Sequence, residues 1–194
     1  AERGEPEPEV RPSVPLTVAV GARIPNYSSP FQESIAAYGA SPAVSLDLRG
    51  AAGYRWNRWI EAGGALSYAF TGGELNPIRG SGFPDSVWLH AIEAGGYARL
   101  TLRWPATRPS LSFNIELAAG AQVPFFEYSG GVDVHVHAFL RPMISFSWRE
   151  RGFRDLWFDI AVSYTAVLPV DELDAHIDGV AVQLGIIADL RLPP

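Results

Sequence analysis

The segment Asp133-Val134-His135-Val136-His137 combines residue types and a spacing that could bind a metal ion. In an extended strand alternate side chains point to the same face, so Asp133, His135 and His137 would lie side by side. Imidazole nitrogens and carboxylate oxygens are ligands of zinc and other divalent transition metals. The sequence therefore predicts a candidate divalent-cation site here and no other cofactor. The alternative is that these residues only make polar hydrogen bonds.

Composition restricts the classes of protein to which the chain can belong. The 194 residues carry a net charge of −6, which argues against a nucleic-acid partner, because such a partner requires a basic surface. The chain has no cysteine, so it offers neither a disulfide framework nor thiolate chemistry. No apolar run approaches the length of about 18 residues that a membrane helix needs. Helical membrane proteins and nucleic-acid-binding proteins are therefore not expected.

In the segments that must position these residues, apolar and polar side chains alternate with a period of two. Apolar and polar residues alternate in eight segments separated by Gly, Pro, Asn and Ser clusters, which indicates β-strands. The segments span about 14–25, 43–52, 58–71, 87–104, 110–124, 132–148, 155–168 and 180–192. Residues 1–13 are acidic and Pro-rich, which predicts a flexible tail, and 193–194 form the C-terminal end.

The connections between these segments alternate in length. Short ones are predicted near 53–57, 105–109 and 149–154, and mostly longer ones at 26–41, 72–86, 125–131 and 169–179. This alternation with an even strand number is typical of membrane barrels that have short periplasmic turns and long extracellular loops. The sequence therefore predicts an all-β fold, an eight-stranded antiparallel up-and-down transmembrane β-barrel over residues 14–192.

The polar face of the strands decides between two kinds of barrel. A soluble lipocalin-like carrier would have its apolar face inside, whereas a membrane barrel has it outside. Here the polar face carries both signs of charge among small residues, which suits a narrow lumen in which each buried ion needs a partner. We therefore predict a charged lumen filled by side chains, with a network of Arg23, Asp47, Arg49, Glu61, Glu93, Arg99, Arg103, Glu116, Arg141, Asp159, Asp189 and Arg191.

Aromatic residues collect toward both ends of the predicted strands. Two aromatic bands separated by an aliphatic one match the interfacial girdles of a membrane barrel. The alternative is that the aromatic residues fill a soluble core. The predicted girdle comprises Trp56, Trp59, Trp104, Trp148 and Trp157 at the short-turn ends and Tyr68, Trp88 and Phe125 near the long loops.

With this pattern the chain resembles the small outer-membrane barrels of the OmpA transmembrane-domain, OmpX and OmpW group. The resemblance covers about residues 14–192 and rests on strand number, loop asymmetry, girdles and charged lumen. It implies insertion by the outer-membrane assembly machinery. One departure is the end of the last strand, which has Leu192 before two prolines, whereas such proteins usually end on Phe or Trp. Either Leu192 takes that role, or the prolines begin a linker.

Charge is distributed unevenly between the two ends of the predicted barrel. Acidic residues dominate the long loops and Arg residues dominate the short-turn ends. Acidic loops could hold a divalent cation or a basic partner, or could simply form a solvated rim. The last of these is the favoured interpretation.

The expected function is a structural or interaction role in the outer membrane of a Gram-negative bacterium. In that role the chain could be a subunit of a larger envelope complex. The termini would be periplasmic, the long loops extracellular, and the partners membrane lipid and an envelope protein. The alternative is a narrow channel for small solutes or ions. A lipid-modifying enzyme ranks third, because His90 with Ser86 and Asp85, or His176 with Asp174, lacks a supporting motif. The prediction is that the chain is not an enzyme.

Overall fold

The computed structural model describes residues 12–24, 26, 44–74, 86–104, 110–128, 131–150, 152–153, 155–170 and 176–191. For 71–74, 86–88, 126–128 and 131–133 the description covers the backbone alone. The strands within this part are β1 (Ser13–Ile24), β2 (Ser45–Arg55), β3 (Ile60–Glu74), β4 (Ser86–Trp104), β5 (Leu111–Tyr128), β6 (Gly131–Val134), β7 (His137–Trp148), β8 (Leu156–Leu168) and β9 (Gly179–Arg191). The predicted tail lies almost wholly outside the described residues, although Ser13 already belongs to β1.

The strands form one closed antiparallel barrel. Each pairs with its neighbour along the chain, and β1 pairs with β9, so the first and last strands close the sheet. β6 and β7 both pair with β5 and are separated only by His135 and Val136, so they count as one interrupted strand. The predicted eight-stranded up-and-down β-barrel is confirmed. Closure leaves the eight long strands paired on both sides, whereas the short β6 pairs with β5.

One predicted loop is a tight hairpin instead. Residues 125–131 were expected to form a connection, but β5 continues to Tyr128 and β6 begins at Gly131, and these two residues are register partners. The strand-favouring residues Phe125, Phe126 and Tyr128 maintain strand character beyond the predicted end at 124. The strand pair therefore extends farther than the sequence pattern indicated.

Alternation of side chains across the barrel wall gives it two opposite faces. Val18 and Leu184 are 70% and 58% exposed on the outside, whereas Arg23 and Asp47 are fully buried inside. This is the reverse of a soluble protein, whose apolar residues are buried. It excludes the lipocalin-like arrangement and leaves a continuous apolar outer face. No helix in the described part of the chain is long and apolar enough to cross a membrane.

Small residues on the wall make room for large ones in the lumen. A Cβ atom added to Gly53 would lie 2.3 Å from the hydroxyl oxygen of Tyr97, which fills the space over β2. Tyr97 is buried and packs with Ala51, Ala118 and Phe139. Glycine at position 53 therefore allows an aromatic side chain to reach across the narrow interior.

Candidate functional site

The lumen contains two groups of buried charges. The first, here named the turn-side cluster, follows the wall toward the end with the short connections. Its core is four residues that lie directly opposite one another on β2, β3, β4 and β5 and alternate in charge: Arg55, Glu61, Arg99 and Glu116. Arg55 Nη2 lies 2.7 Å from Glu61 Oε2, Arg99 Nη1 lies 3.1 Å from Glu61 Oε1, and Arg99 Nη2 lies 2.7 Å from Glu116 Oε2. Strand register alone brings these charges together.

Further side chains attach to this ladder from inside the lumen. Arg49 pairs with Glu116, and the Tyr97 hydroxyl donates a hydrogen bond to Glu61 Oε1 at 2.7 Å. Asp189 on β9 accepts from Arg55 Nη1 at 2.5 Å and from Arg103 Nη2 at 3.3 Å. The turn-side cluster is thereby tied across the barrel to the last strand.

Asp159 lies in the lumen near this cluster. It is 6% exposed, and its Oδ1 accepts a hydrogen bond from Ser147 Oγ at 2.5 Å. Asn114 Nδ2 donates to the hydroxyl oxygens of Ser145 and Ser147, each at 2.9 Å. Asp159 therefore belongs to the filled interior, bound through hydroxyl groups.

The second group, the loop-side cluster, is centred on Glu93 of β4 and lies toward the long connections. Arg23 Nη1 donates to Glu93 Oε1 at 2.8 Å, Gln122 Nε2 donates to the same oxygen at 2.9 Å, and Arg141 pairs with Glu93 Oε2. Arg23 and Arg141 come from β1 and β7, so both pairs cross the lumen. Arg23 also pairs with Asp47, at 2.6 Å between Nη2 and Oδ2. Glu93 therefore links three strands, β1, β4 and β7, that are not neighbours in the wall.

A short segment at the end of the connection between β8 and β9 closes the loop-side end of the lumen. Its residues His176, Ile177 and Asp178 are 3%, 1% and 6% exposed. The Ile177 carbonyl accepts from Arg23 Nη1 at 2.9 Å and from Gln122 Nε2 at 2.8 Å, and its N–H donates to Gln122 Oε1 at 2.9 Å. Its side chain packs with Ala69, Leu89 and Ala91. This segment, residues 176–178, is here named the plug.

The plug carries one titratable group outside the strands whose environment is unusual. Burial raises the pKa of the Asp178 carboxyl, and the neighbouring His176 opposes that shift. His176 Nε2 lies 3.9 Å from Asp178 Oδ2.

The predicted metal residues are brought near the plug. The rings of His135 and His137 are stacked with centroids 6.0 Å apart, and the ring of His176 meets His137 edge-on at 6.2 Å. The side chain of Asp133 lies outside the described part. Among the described side chains no three His, Asp or Glu residues form a group that could hold a metal ion. The divalent-cation site stays a prediction.

The histidines considered for hydrolysis occupy different surroundings. His90 lies on the outer wall, with its Nδ1 2.6 Å from the Tyr68 hydroxyl oxygen. Asp85 and Asp174 fall outside the described residues, as does the side chain of Ser86. The structure therefore supplies no triad geometry for either histidine within its described part.

The predicted aromatic girdle needs one correction. Trp56, Trp59 and Trp104 are 53%, 37% and 42% exposed on the outside at the turn side, and Trp148 is half-buried there. Tyr68 and Phe125 lie on the outer face toward the long connections, and the side chain of Trp88 is not described. Trp157, however, is only 3% exposed and faces the lumen, because it alternates with the outward Leu156 and Phe158. It packs under the guanidinium groups of Arg103 and Arg149.

Arg191 is likewise not part of the lumen network to which it was assigned. Its side chain is 63% exposed and pairs with Asp155, at 2.8 Å between Nη2 and Oδ1. The inward alternation of β9 holds through Asp189, which is largely buried, and is lost at Arg191. Arg191 therefore lies at the rim, and Arg55, which was not predicted, takes a place in the turn-side cluster.

Sequence reasoning also left out Tyr97, Gln122 and Ile177. Arg55 and Tyr97 share the alternation of Arg49 and Arg99, so the period of two could have included them. Gln122 could have been found as the register partner of Glu93, once the pairing of β4 with β5 is known. No signal in the sequence indicated that Ile177, in a polar connection, enters the lumen.

The comparisons with known proteins agree with this architecture. No protein-family model matches the chain, and no curated protein matches its sequence. The crystal structure of the N-terminal β-barrel domain of Pseudomonas aeruginosa OprF matches with a TM-score of 0.56 at 11% identity, over 91% of this chain and 97% of that one. The crystal structure of Neisserial surface protein A (NspA) matches with a TM-score of 0.56 at 15% identity, over 91% and 96%. The chain therefore has the fold of the small eight-stranded outer-membrane β-barrels.

Proposed function

We propose that this chain is a non-conducting outer-membrane barrel with a structural or interaction role. The observation that supports this most strongly is the filled lumen. Side chains from the non-neighbouring strands β1 and β7 meet at Glu93, and the plug lies over them with its backbone bonded to Arg23 and Gln122. A conduit would need continuous water along the axis, whereas these groups satisfy one another.

The proposed orientation follows from the connections. Both described ends of the barrel, Ser13 and Arg191, are register partners and lie at the same end as the short connections. In outer-membrane barrels the short turns face the periplasm, so we place the termini there and the long connections outside the cell. The long connections would then contact the surroundings or a larger envelope complex, after insertion by the outer-membrane assembly machinery. The proposal includes no enzymatic activity.

The likeness to two solved barrels is compatible with such a role. NspA is by its name a surface protein, and the OprF barrel is one domain of its protein. Both descriptions concern those proteins. They are compatible with a barrel that is exposed at the cell surface or forms one domain of a larger protein.

Planar-bilayer conductance tests the closed lumen directly. We expect the folded chain to give only baseline current under conditions in which a general porin gives clear steps. The Gln122→Ala variant, which loses both side-chain hydrogen bonds to the Ile177 backbone, should give more frequent openings if the plug closes the mouth. Steady conductance of the unmodified chain would contradict the proposal and favour the narrow channel.

A second experiment tests the interaction role. Chemical cross-linking in intact cells should capture partners through the long connections or the periplasmic end, and heat-modifiable gel migration should show that the barrel is folded. An interaction role requires that specific cross-links persist at native expression. Their absence at both ends would contradict this part of the proposal.

A further inference from the structure

The turn side of the outer wall carries a band of indole rings at the edge of the apolar surface. Trp56, Trp59, Trp104 and Trp148 lie at the ends of β2, β4 and β7 or in the connection between β2 and β3. Just above them on the same outer face are aliphatic residues such as Ile60 and Leu102, 50% and 41% exposed. Indole rings prefer the boundary between hydrocarbon and headgroups. The band therefore marks the level of the lipid headgroups at the turn side.

Positive charge is placed at the same level. The guanidinium carbon of Arg58 lies 4.7 Å from the centroid of the Trp59 ring, so its charge is held over an indole that faces the lipid. Arg149 follows Trp148 directly, but its guanidinium lies over the lumen-facing Trp157 and not over the outer band. The rim thus combines rings that enter the interface with the cation of Arg58 beside one of them.

The sequences of the short connections are also rich in arginine. Residues 56–59, 105–110 and 149–155 hold five Arg against Glu150 and Asp155. The long connections have the opposite composition, since residues 169–178 alone hold Asp171, Glu172, Asp174 and Asp178 with no basic residue but His176. The excess of cations is therefore confined to the end where the indole band lies.

We propose that this turn-side rim, formed by Trp56, Arg58, Trp59, Trp104 and Trp148, binds the headgroups of anionic phospholipids. The inference rests on the membrane location in the proposed function and adds the lipid class and the end of the barrel. A phosphodiester with net negative charge fits a guanidinium held over an indole ring, whose hydrocarbon side is continuous with the acyl-chain region. Zwitterionic phospholipids lack the net charge, so the rim favours anionic ones.

The test uses the whole chain folded into vesicles of equal phosphatidylethanolamine and phosphatidylglycerol. After brief extraction into detergent, native mass spectrometry measures the ratio of the two lipids that stay bound. We expect the ratio to favour phosphatidylglycerol and to fall on the order of fivefold in Arg58→Gln, as expected for one basic residue near an anionic surface. Raised ionic strength should lower it as well.

Two further variants separate the rim from overall charge. Arg79→Gln removes one positive charge from the connection between β3 and β4, at the opposite end, and should leave the ratio unchanged. Trp59→Leu keeps an apolar side chain but removes the ring under the guanidinium, and should lower the ratio by a smaller factor than Arg58→Gln. Heat-modifiable gel migration shows that each variant is folded.

The inference is overturned if the unmodified chain retains both lipids equally, or if Arg79→Gln lowers the ratio as much as Arg58→Gln. The latter result would show that net charge alone attracts the lipid. Neither result bears on conductance, so a failure here is distinct from a failure of the closed-lumen proposal.

Discussion

The two charge clusters of the lumen differ in how their partners meet. In the turn-side cluster Arg55, Glu61, Arg99 and Glu116 are direct cross-strand neighbours along the wall. In the loop-side cluster Glu93 pairs with arginines from β1 and β7, on other sides of the barrel. The four-residue ladder depends on register between adjacent strands, whereas the arginine pairs of Glu93, like the link from Asp189 to Arg55 and Arg103, depend on the closed barrel that brings non-adjacent strands together.

The two clusters also differ in how many charged partners their arginines keep when one carboxylate is removed. Arg55 and Arg99 each contact two carboxylates, so either keeps one when Glu61 is removed. Without Glu93, Arg23 keeps Asp47, whereas the described partners of Arg141 become the hydroxyl groups of Ser67 and Thr165. An unpaired buried charge is costly, so the two clusters should respond differently to single substitutions.

The largest effect is expected for Glu93→Gln. The substitution keeps the size of the side chain but leaves Arg141 buried without a carboxylate and weakens the anchor of the plug. We expect the free energy of unfolding to fall by about 3–5 kcal/mol. Urea titration in lipid vesicles, with the folded fraction read from gel migration, measures it. A loss below about 1 kcal/mol would show that the loop-side pairs contribute little.

Glu61→Gln is the matched substitution in the turn-side cluster. Because Arg55 keeps Asp189 and Arg99 keeps Glu116, we expect a loss of about 1–2 kcal/mol, mainly from weaker hydrogen bonds to Tyr97 and the arginines. The same urea titration compares the two variants directly. If Glu61→Gln destabilises the barrel as much as Glu93→Gln, the proposed compensation by Asp189 and Glu116 does not operate.

The smallest effect is expected for Arg191→Gln at the rim. The pair with Asp155 is exposed on both sides, so solvent screens it and the loss should stay below about 0.5 kcal/mol. The measurement is again the urea midpoint, at low and high salt. A large loss would mean that Arg191 takes part in the lumen network in solution, as the sequence pattern had suggested.

Much of this fold could be predicted because a barrel strand repeats every two residues. Alternation predicted which side chains face inward, and the mixture of both charges on that face predicted a filled lumen. The same rule, applied strictly, would have placed Trp157 inside, since it shares the alternation of Asp159. The preference of indole rings for the membrane interface predicted an outward position, whereas the alternation of β8 places Trp157 inside.

Other features depended on the ends of strands, where alternation carries less information. Arg191 follows the correct alternation for the lumen and still pairs with Ser13 of β1, yet it lies beyond the pairing of β9 with β8 and is exposed to solvent. The paired strands β5 and β6 extend farther than the predicted strand end at 124. Their pairing continues from Phe125 to Tyr128.

The sequence by itself determined the strand number, the closed up-and-down order and the inward charges, because these follow from local periodicity and connection length. Only the tertiary structure decided which charges meet across the lumen, since that depends on the stagger of eight strands around a closed barrel. It alone placed Ile177 over Glu93, because a backbone carbonyl can complete a buried network from any connection that reaches it.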